Sequence, residues 1–315
     1  MQSTNELEIK KYAYSLVIPV LHYESNPWLP DLLNKLSEQS LPPEEVHLVI
    51  GDKRQGRAIN YGVSRVKTKY VGTVDDDSVI DDSDLFKKII SAMENDDSIG
   101  MGGGACEIPD FASSFQKRAM REIKRRYFPS QKKHIDSDMV QHPCLMMKTN
   151  FFHKIGGEDE ELIRGLDPIL RKKVRDHGKR VVVIADTYVY HLLPDSWSKL
   201  LKMYFRNGRG SAYAQKHFPD RVLELTEGYD DGAFVEKKPI LMRFFRRFIT
   251  LLHHILKGSI LAVGTDVAYA FGIFYERLLP ANIQIPEVES IKTESEDKSN
   301  YKLFFHRVVL KSSAQ

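Results

Sequence analysis

YVGTVDDDSV, residues 70–79, is an apolar run that ends in three consecutive carboxylates, Asp75, Asp76 and Asp77. A second acidic group, Asp81, Asp82 and Asp84, follows and opens a helical pattern. A strand that delivers acids at its C-terminal end places charge where open α/β sheets bind ligands. Side chains alternate along a strand, so Asp75 and Asp77 are expected on one side and Asp76 on the other. Two neighbouring carboxylates repel unless a cation or a proton intervenes. A hard divalent ion with oxygen ligands resolves the repulsion. The alternative is a solvated acidic turn that caps the next helix.

Working outward, Tyr14–Val20 reads as a buried strand, and Asn26-Pro27 as the start of a helix that runs to about Gln39. Val46–Ile50 is a second strand, and Ala58, Ile59, Tyr61, Gly62 and Val66 carry a helical pattern into the third strand. Strand, helix, strand, helix, strand predicts a parallel sheet with helices on its faces. After a helix over 83–95, the cluster GMGGGA (100–105) sits within or beside a strand. A dinucleotide loop should instead follow the first strand and open a helix, so close backbone approach is the reading here. A helix over 112–126 carries Arg118, Arg121, Lys124, Arg125 and Arg126, either as a solvated face or as a stripe for anionic headgroups. Further strands are expected at Cys144–Met147 and Val181–Ala185, with helices near Pro168–His177 and Ser196–Phe218. Residues 239–256 mix Phe244, Phe245, Phe248, Leu251 and Leu252 with Arg243, Arg246 and Arg247. The mostly apolar Gly258–Phe274 follows, so the two read as packed helices or an interfacial anchor. The polar 287–300 reads as a linker before a short tail.

The chain has 315 residues, 42% hydrophobic and 28% charged, with a net charge of +3. That is an ordinary soluble composition. Its bases are scattered with no reading motif, which speaks against a nucleic-acid partner. Cys106 and Cys144 are the only cysteines, too few for a disulfide framework and without zinc spacing. No signal-peptide pattern and no long apolar span appear, so a cytoplasmic protein is expected, peripheral on the inner membrane face if the basic helices bind lipid.

VIPV in the first strand, GRAIN before the third, DDD at its end, then GGEDEEL, GLDPILRKKV and His191 past a later strand stand in a particular order. That order resembles the family 2 glycosyltransferases, from residue 14 to about 215. The resemblance implies an α/β GT-A fold: a Rossmann-like mixed sheet with helices on both faces, and here a C-terminal helical extension. With the residue patterns beyond it, the chain is expected to divide into a catalytic domain (1–220), a helical region (221–286) whose Arg/Phe-rich composition suits membrane association, and a linker with terminal tail (287–315). The resemblance also implies transfer of a sugar from a nucleotide-diphosphate donor, UDP-linked, to an acceptor hydroxyl with inversion. The acceptor is lipid-linked, membrane-proximal or a glycan.

Residue by residue, the resemblance makes Asp77 a direct ligand of Mn²⁺ or Mg²⁺ and Asp75 its partner on the metal shell or ribose. His191 completes the shell. Such a metal stabilises the charge growing on the departing diphosphate. Asp167 is implied as the general base, which an inverting transfer needs to take the acceptor's proton. Leu166 stands where the family has a second acid, and Asp167 also suits a helix N-cap. Asp52 is implied on the nucleobase, and Arg57 on a phosphate. Asn60 is placed in the preceding motif or its turn, Arg206 and Arg209 near the diphosphate, and Asp159 and Glu160 toward the acceptor. Pro19 and Asp76 join the donor site, Asp76 as its least important member. Glu158 replaces the usual aromatic, and the tryptophan of processive synthases is missing. A nucleotidyltransferase would want a Gly-rich basic loop after strand one, absent from VIPVLHYESNP. An inactive carbohydrate-binding scaffold would have no need of Asp75, Asp77 and Asp167.

Overall fold

The computed structural model describes residues 12–123, 125–223, 240–279 and 286–311. The first eleven residues, Lys124 and the side chains of Arg243, Phe244, Arg246 and Arg247 lie outside the described residues. Strand β1 (Tyr14–Val20) buries Tyr14, Leu16, Ile18 and Val20 on one face and Val17 on the other. A strand apolar on both faces needs a cover on each. Helices α1 (Leu29–Ser37) and α3 (Leu85–Asn95) supply one, through Leu29, Leu32, Leu36, Phe86, Ile89 and Met93. Helices α2 (Gln55–Val63), α5 (Thr149–Lys154) and α6 (Leu166–Asp176) supply the other, through Ile59, Val63, Phe152, Leu170 and Val174. Each such side chain taken out of water contributes about 1.5–3 kcal/mol.

The remaining strands are β2 (Glu45–Ile50), β3 (Tyr70–Thr73), β4 (Ile99–Glu107), β5 (Ile135–Asp136), β6 (Leu145–Lys148), β7 (Arg180–Tyr190), β8 (Val288–Asp297) and β9 (Lys302–Leu310). They join β1 in one sheet ordered β5-β7-β4-β6-β3-β1-β2-β9-β8. β1, β2 and β3 are mutually parallel, and β4 runs parallel to β7. β6 is antiparallel to both β3 and β4, which makes the sheet mixed. The C-terminal ends of β1, β2, β3, β4 and β7 therefore gather along one edge. The glycines of β4 are explained by close approach: a Cβ on Gly103 would lie 2.6 Å from the carbonyl oxygen of Cys144.

Four local expectations are corrected. Helix α1 begins at Leu29 rather than Pro27, and Pro30 occupies its first turn. Asn26 still caps the turn, its Oδ1 accepting from the N–H groups of Trp28 and Leu29. Helix α6 has Gly165 at its N-cap, in the left-handed region, so Asp167 lies inside the first turn. Helix α4 (Ser114–Glu122) stops before Arg125 and Arg126, which turn inward to Asp138 and Tyr204 and leave the basic stripe shorter. The linker and tail after residue 287 are a hairpin, β9 pairing parallel with β2 and β8 forming the outer edge. Its charged, exposed β8 reads as a linker because an edge strand carries polar residues on both faces.

Helix α7 (Trp197–His217) follows β7, and α8 (Ile240–Leu256) and α9 (Ile260–Leu278) complete the chain's helices among the described residues. The axes of α7 and α9 approach closely at two glycines. A Cβ on Gly208 would run into the carbonyl oxygen of Tyr269, and one on Gly272 into that of Phe205. No helix among the described residues is long and apolar enough to cross a membrane.

Candidate active site

Strand β3 ends at Thr73, and the three aspartates form a tight turn closed by the Ser78 N–H on the Asp75 carbonyl at 3.0 Å. Beyond the turn, Val79 exchanges both backbone hydrogen bonds with Tyr190, at 2.8 and 3.0 Å. That bridge brings the end of β7, and with it His191, beside the aspartates. Asp75, Asp77 and His191 each offer one ligand atom, all within 4.8 Å of one another. His191 Nε2 lies 3.3 Å from Asp77 Oδ1. Asp76 points elsewhere, its carboxylate accepting from Asn26 Nδ2 at 2.8 Å. The split expected among the three is present, but a turn makes it, not a pleated strand.

The electrostatics fit a cation. Burial pushes Asp75 up to about 6, against the opposing charges of His191 and His142. Burial also raises Asp76 to about 6, with Asp77 adding to it. Burial would raise Asp77 as well, but the hydrogen bond and charge of His191 outweigh it and hold Asp77 low. His191 is raised because Asp77 and Asp75 more than offset its burial. Two carboxylate oxygens and an imidazole nitrogen form a donor set suited to Mn²⁺ or Mg²⁺.

A second cluster lies around Asp167. Its Oδ1 receives both the backbone N–H of His142, at 2.9 Å, and the Nδ1 of the same histidine, at 2.6 Å. His142 Nε2 reaches Glu158 Oε1 at 2.8 Å. Burial would lower His142, but the carboxylates of Asp167 and Glu158 raise it well above its ordinary value. The resulting imidazolium overcomes burial at Asp167 and holds that carboxyl far below the usual range. Asp167 Oδ2 has no hydrogen-bond partner among the described residues, and the side chain is partly exposed.

The other expected residues divide. Asp52, at the end of β2, accepts two hydrogen bonds from Arg57, both at 2.7 Å, and one from the Arg54 N–H. Arg57, expected on a phosphate, also donates to the Pro286 carbonyl, so its guanidinium is taken up by the loop and the hairpin. Asn60 organises the glycine turn: its Oδ1 accepts from the Glu158 N–H, while its Nδ2 donates to the Glu158 carbonyl and to Glu160. Asp159 caps that turn and pairs with Arg221. Arg209, expected near the diphosphate, pairs with the buried Glu276 of α9 at 2.7 Å. Pro19 sits near the end of β1, opposite Val49.

Sequence reasoning missed four residues. Gln55 donates to Asp75 Oδ1 at 3.0 Å. His142 stands outside every motif, and nothing in the local pattern marks it. Arg126 and Arg164 gather with Arg206. Arg164 is brought down to about 10 by burial and by the neighbouring charges of Arg206 and Arg126. The charge of Arg126 also reaches Asp77 and Asp167. Like charges held together in this way favour an anion between them.

A search of curated proteins returned no match. Among solved structures, the mannosyltransferase PcManGT from Pyrobaculum calidifontis, in complex with GDP-Man and Mn²⁺, shares the fold with a TM-score of 0.54. It is 11% identical, over 89% of this chain and 95% of that one. The family model described as glycosyltransferase-like family 2 matches residues 15–210, from the first strand to the middle of α7, and the chain belongs to that family of glycosyltransferases.

Proposed function

We propose that the protein transfers a sugar from a nucleotide-diphosphate donor to an acceptor hydroxyl, with inversion and with a divalent metal. The observation that carries this reading is the Asp75–Asp77–His191 cluster at the C-terminal edge of the sheet. Asp77, Asp75 and His191 would hold Mn²⁺ or Mg²⁺, which supplies Lewis-acid stabilisation of the leaving diphosphate. Arg126, Arg164 and Arg206 add positive charge beside it. Asp167 is the general base. The acceptor hydroxyl attacks the anomeric carbon, its proton passes to Asp167 Oδ2, and the glycosidic bond's electrons leave with the nucleoside diphosphate. His142 keeps Oδ1 occupied, so only Oδ2 is presented.

A uridine-linked donor is the leading reading, and it rests on the likeness to family 2 glycosyltransferases. A guanosine-linked donor is the second, favoured by the GDP-Man bound to PcManGT. The acceptor is a lipid-linked or glycan hydroxyl presented near the cytoplasmic face of a membrane. Replacing Asp167 with Asn tests the base. Turnover is expected to fall about 10²–10⁴-fold, with donor affinity kept; a variant that turns over normally contradicts the assignment.

A further inference from the structure

We propose that α8 and α9 form a docking face for an anionic lipid bilayer, lying in the plane of the membrane with their apolar sides in the headgroup–acyl boundary. This stands on different residues from the catalytic reading and does not depend on it. In α8 the outward side chains are Phe245, Phe248, Ile249, Leu252, Ile255 and Leu256, spaced as one face of a helix. Phe245 is 65% exposed and Leu256 86%. Among the described side chains of α8, His254 alone is buried, and its Nδ1 pairs with Asp266 of α9 at 2.8 Å. The helix thus turns a polar group inward and its apolar face outward, the reverse of a helix packed on a core.

Helix α9 repeats the arrangement. Leu261, Thr265, Gly272 and Glu276 are buried on the side toward the protein. On the opposite side Val267, Phe271, Phe274 and Leu278 are exposed, Phe271 at 62%. Monomeric proteins rarely leave so large an apolar area open, and such patches mark an interaction surface. Charge selects the occupant. By sequence, 240–257 carries Arg243, Arg246, Arg247 and Lys257 and no Asp or Glu, and a basic amphipathic helix of this composition complements anionic headgroups. Neither helix is long and apolar enough to span, so the pair rests about 5–10 Å into the interface.

The test uses the full chain and co-sedimentation with vesicles of phosphatidylcholine, alone or mixed with phosphatidylglycerol. The wild type is expected to sediment with the anionic vesicles at low salt, and less as salt rises. Phe248→Glu with Phe271→Glu, both at exposed positions, is expected to weaken binding about tenfold or more. Phe271→Trp, a conservative change, is expected to shift its emission to the blue when anionic vesicles are added. Nucleotide-sugar binding is measured alongside and is unaffected in either variant, which separates this inference from the catalytic one. A wild type that stays in the supernatant, a double variant that binds as well as the wild type, or unshifted emission each overturns it. A wild-type dimer that the double variant makes monomeric, without vesicle binding, assigns the face to a second copy and overturns it too.

Discussion

His142 holds two carboxylates at once, Asp167 on Nδ1 and Glu158 on Nε2, while being almost wholly buried. Removing it leaves the buried Glu158 and the partly exposed Asp167 without their cation, and breaking the buried pair with Glu158 costs about 3–5 kcal/mol. Because His142 is raised in the folded protein, its contribution is complete below the ordinary value of 6.5 and is lost as the pH rises through the raised one. Asp167 is lowered, so its contribution is complete above 3.8 and is lost as the pH falls. The His142→Gln variant should therefore lose most stability, relative to wild type, between about pH 4 and 6.5. Urea midpoints at pH 5.5 and pH 9 check this; an equal loss at both would show that the imidazolium is not the source. The triad also accounts for one departure from the pattern the resemblance implies: Glu158, standing where an aromatic is expected, pairs with the histidine that holds Asp167. That link depends on a contact across 25 residues, from His142 to Asp167, which no local pattern contains.

At the scale of elements, the helices and strands of the sheet were legible because their apolar patterns are clean, as in the continuous buried run of β1 and the Leu29–Leu32–Leu36 stripe of α1. The terminal hairpin was not, since β8 is charged on both faces. Its attachment contains a buried chain of polar groups: His47 Nδ1 lies 3.0 Å from His306 Nε2, and His306 Nδ1 lies 3.0 Å from Thr293 Oγ1. Burial brings both histidines down to about 4, helped at His47 by Arg65 and at His306 by His47 and then Arg65. Their neutral forms favour docking, so its stability is complete above the ordinary 6.5 and declines as the pH falls toward 4. Hydrogen-exchange protection of the β9 amides should drop between pH 7.5 and pH 5. A His306→Leu variant whose protection falls just as far would reject this source. The α7–α9 contact makes a second demand. Gly208→Ala places a methyl group against backbone, and overpacking of this kind costs about 1–3 kcal/mol. A melting temperature equal to wild type would mean the two helices separate without cost.

Across the whole molecule, the fold divides its tasks by edge and face. The C-terminal ends of the parallel strands collect Asp52, Asp75, Asp77 and His191, so the residues proposed for metal and donor sit where the chain's topology concentrates loops. Helix α7 connects that edge to the C-terminal helices, with Arg206 toward the arginine cluster and Arg209 paired to Glu276. The pairing of Asp75 with Asp77 was readable from three aspartates after a strand; the arginine cluster was not, because Arg126, Arg164 and Arg206 come from separate segments. The most direct test of the central claim is a thermal-shift series with UDP- and GDP-linked sugars, each with and without Mn²⁺, on wild type and on Asp77→Asn. One donor should raise the wild-type melting temperature only when Mn²⁺ is present, and Asp77→Asn should lose that shift. A donor that stabilises both proteins equally without metal would contradict the account.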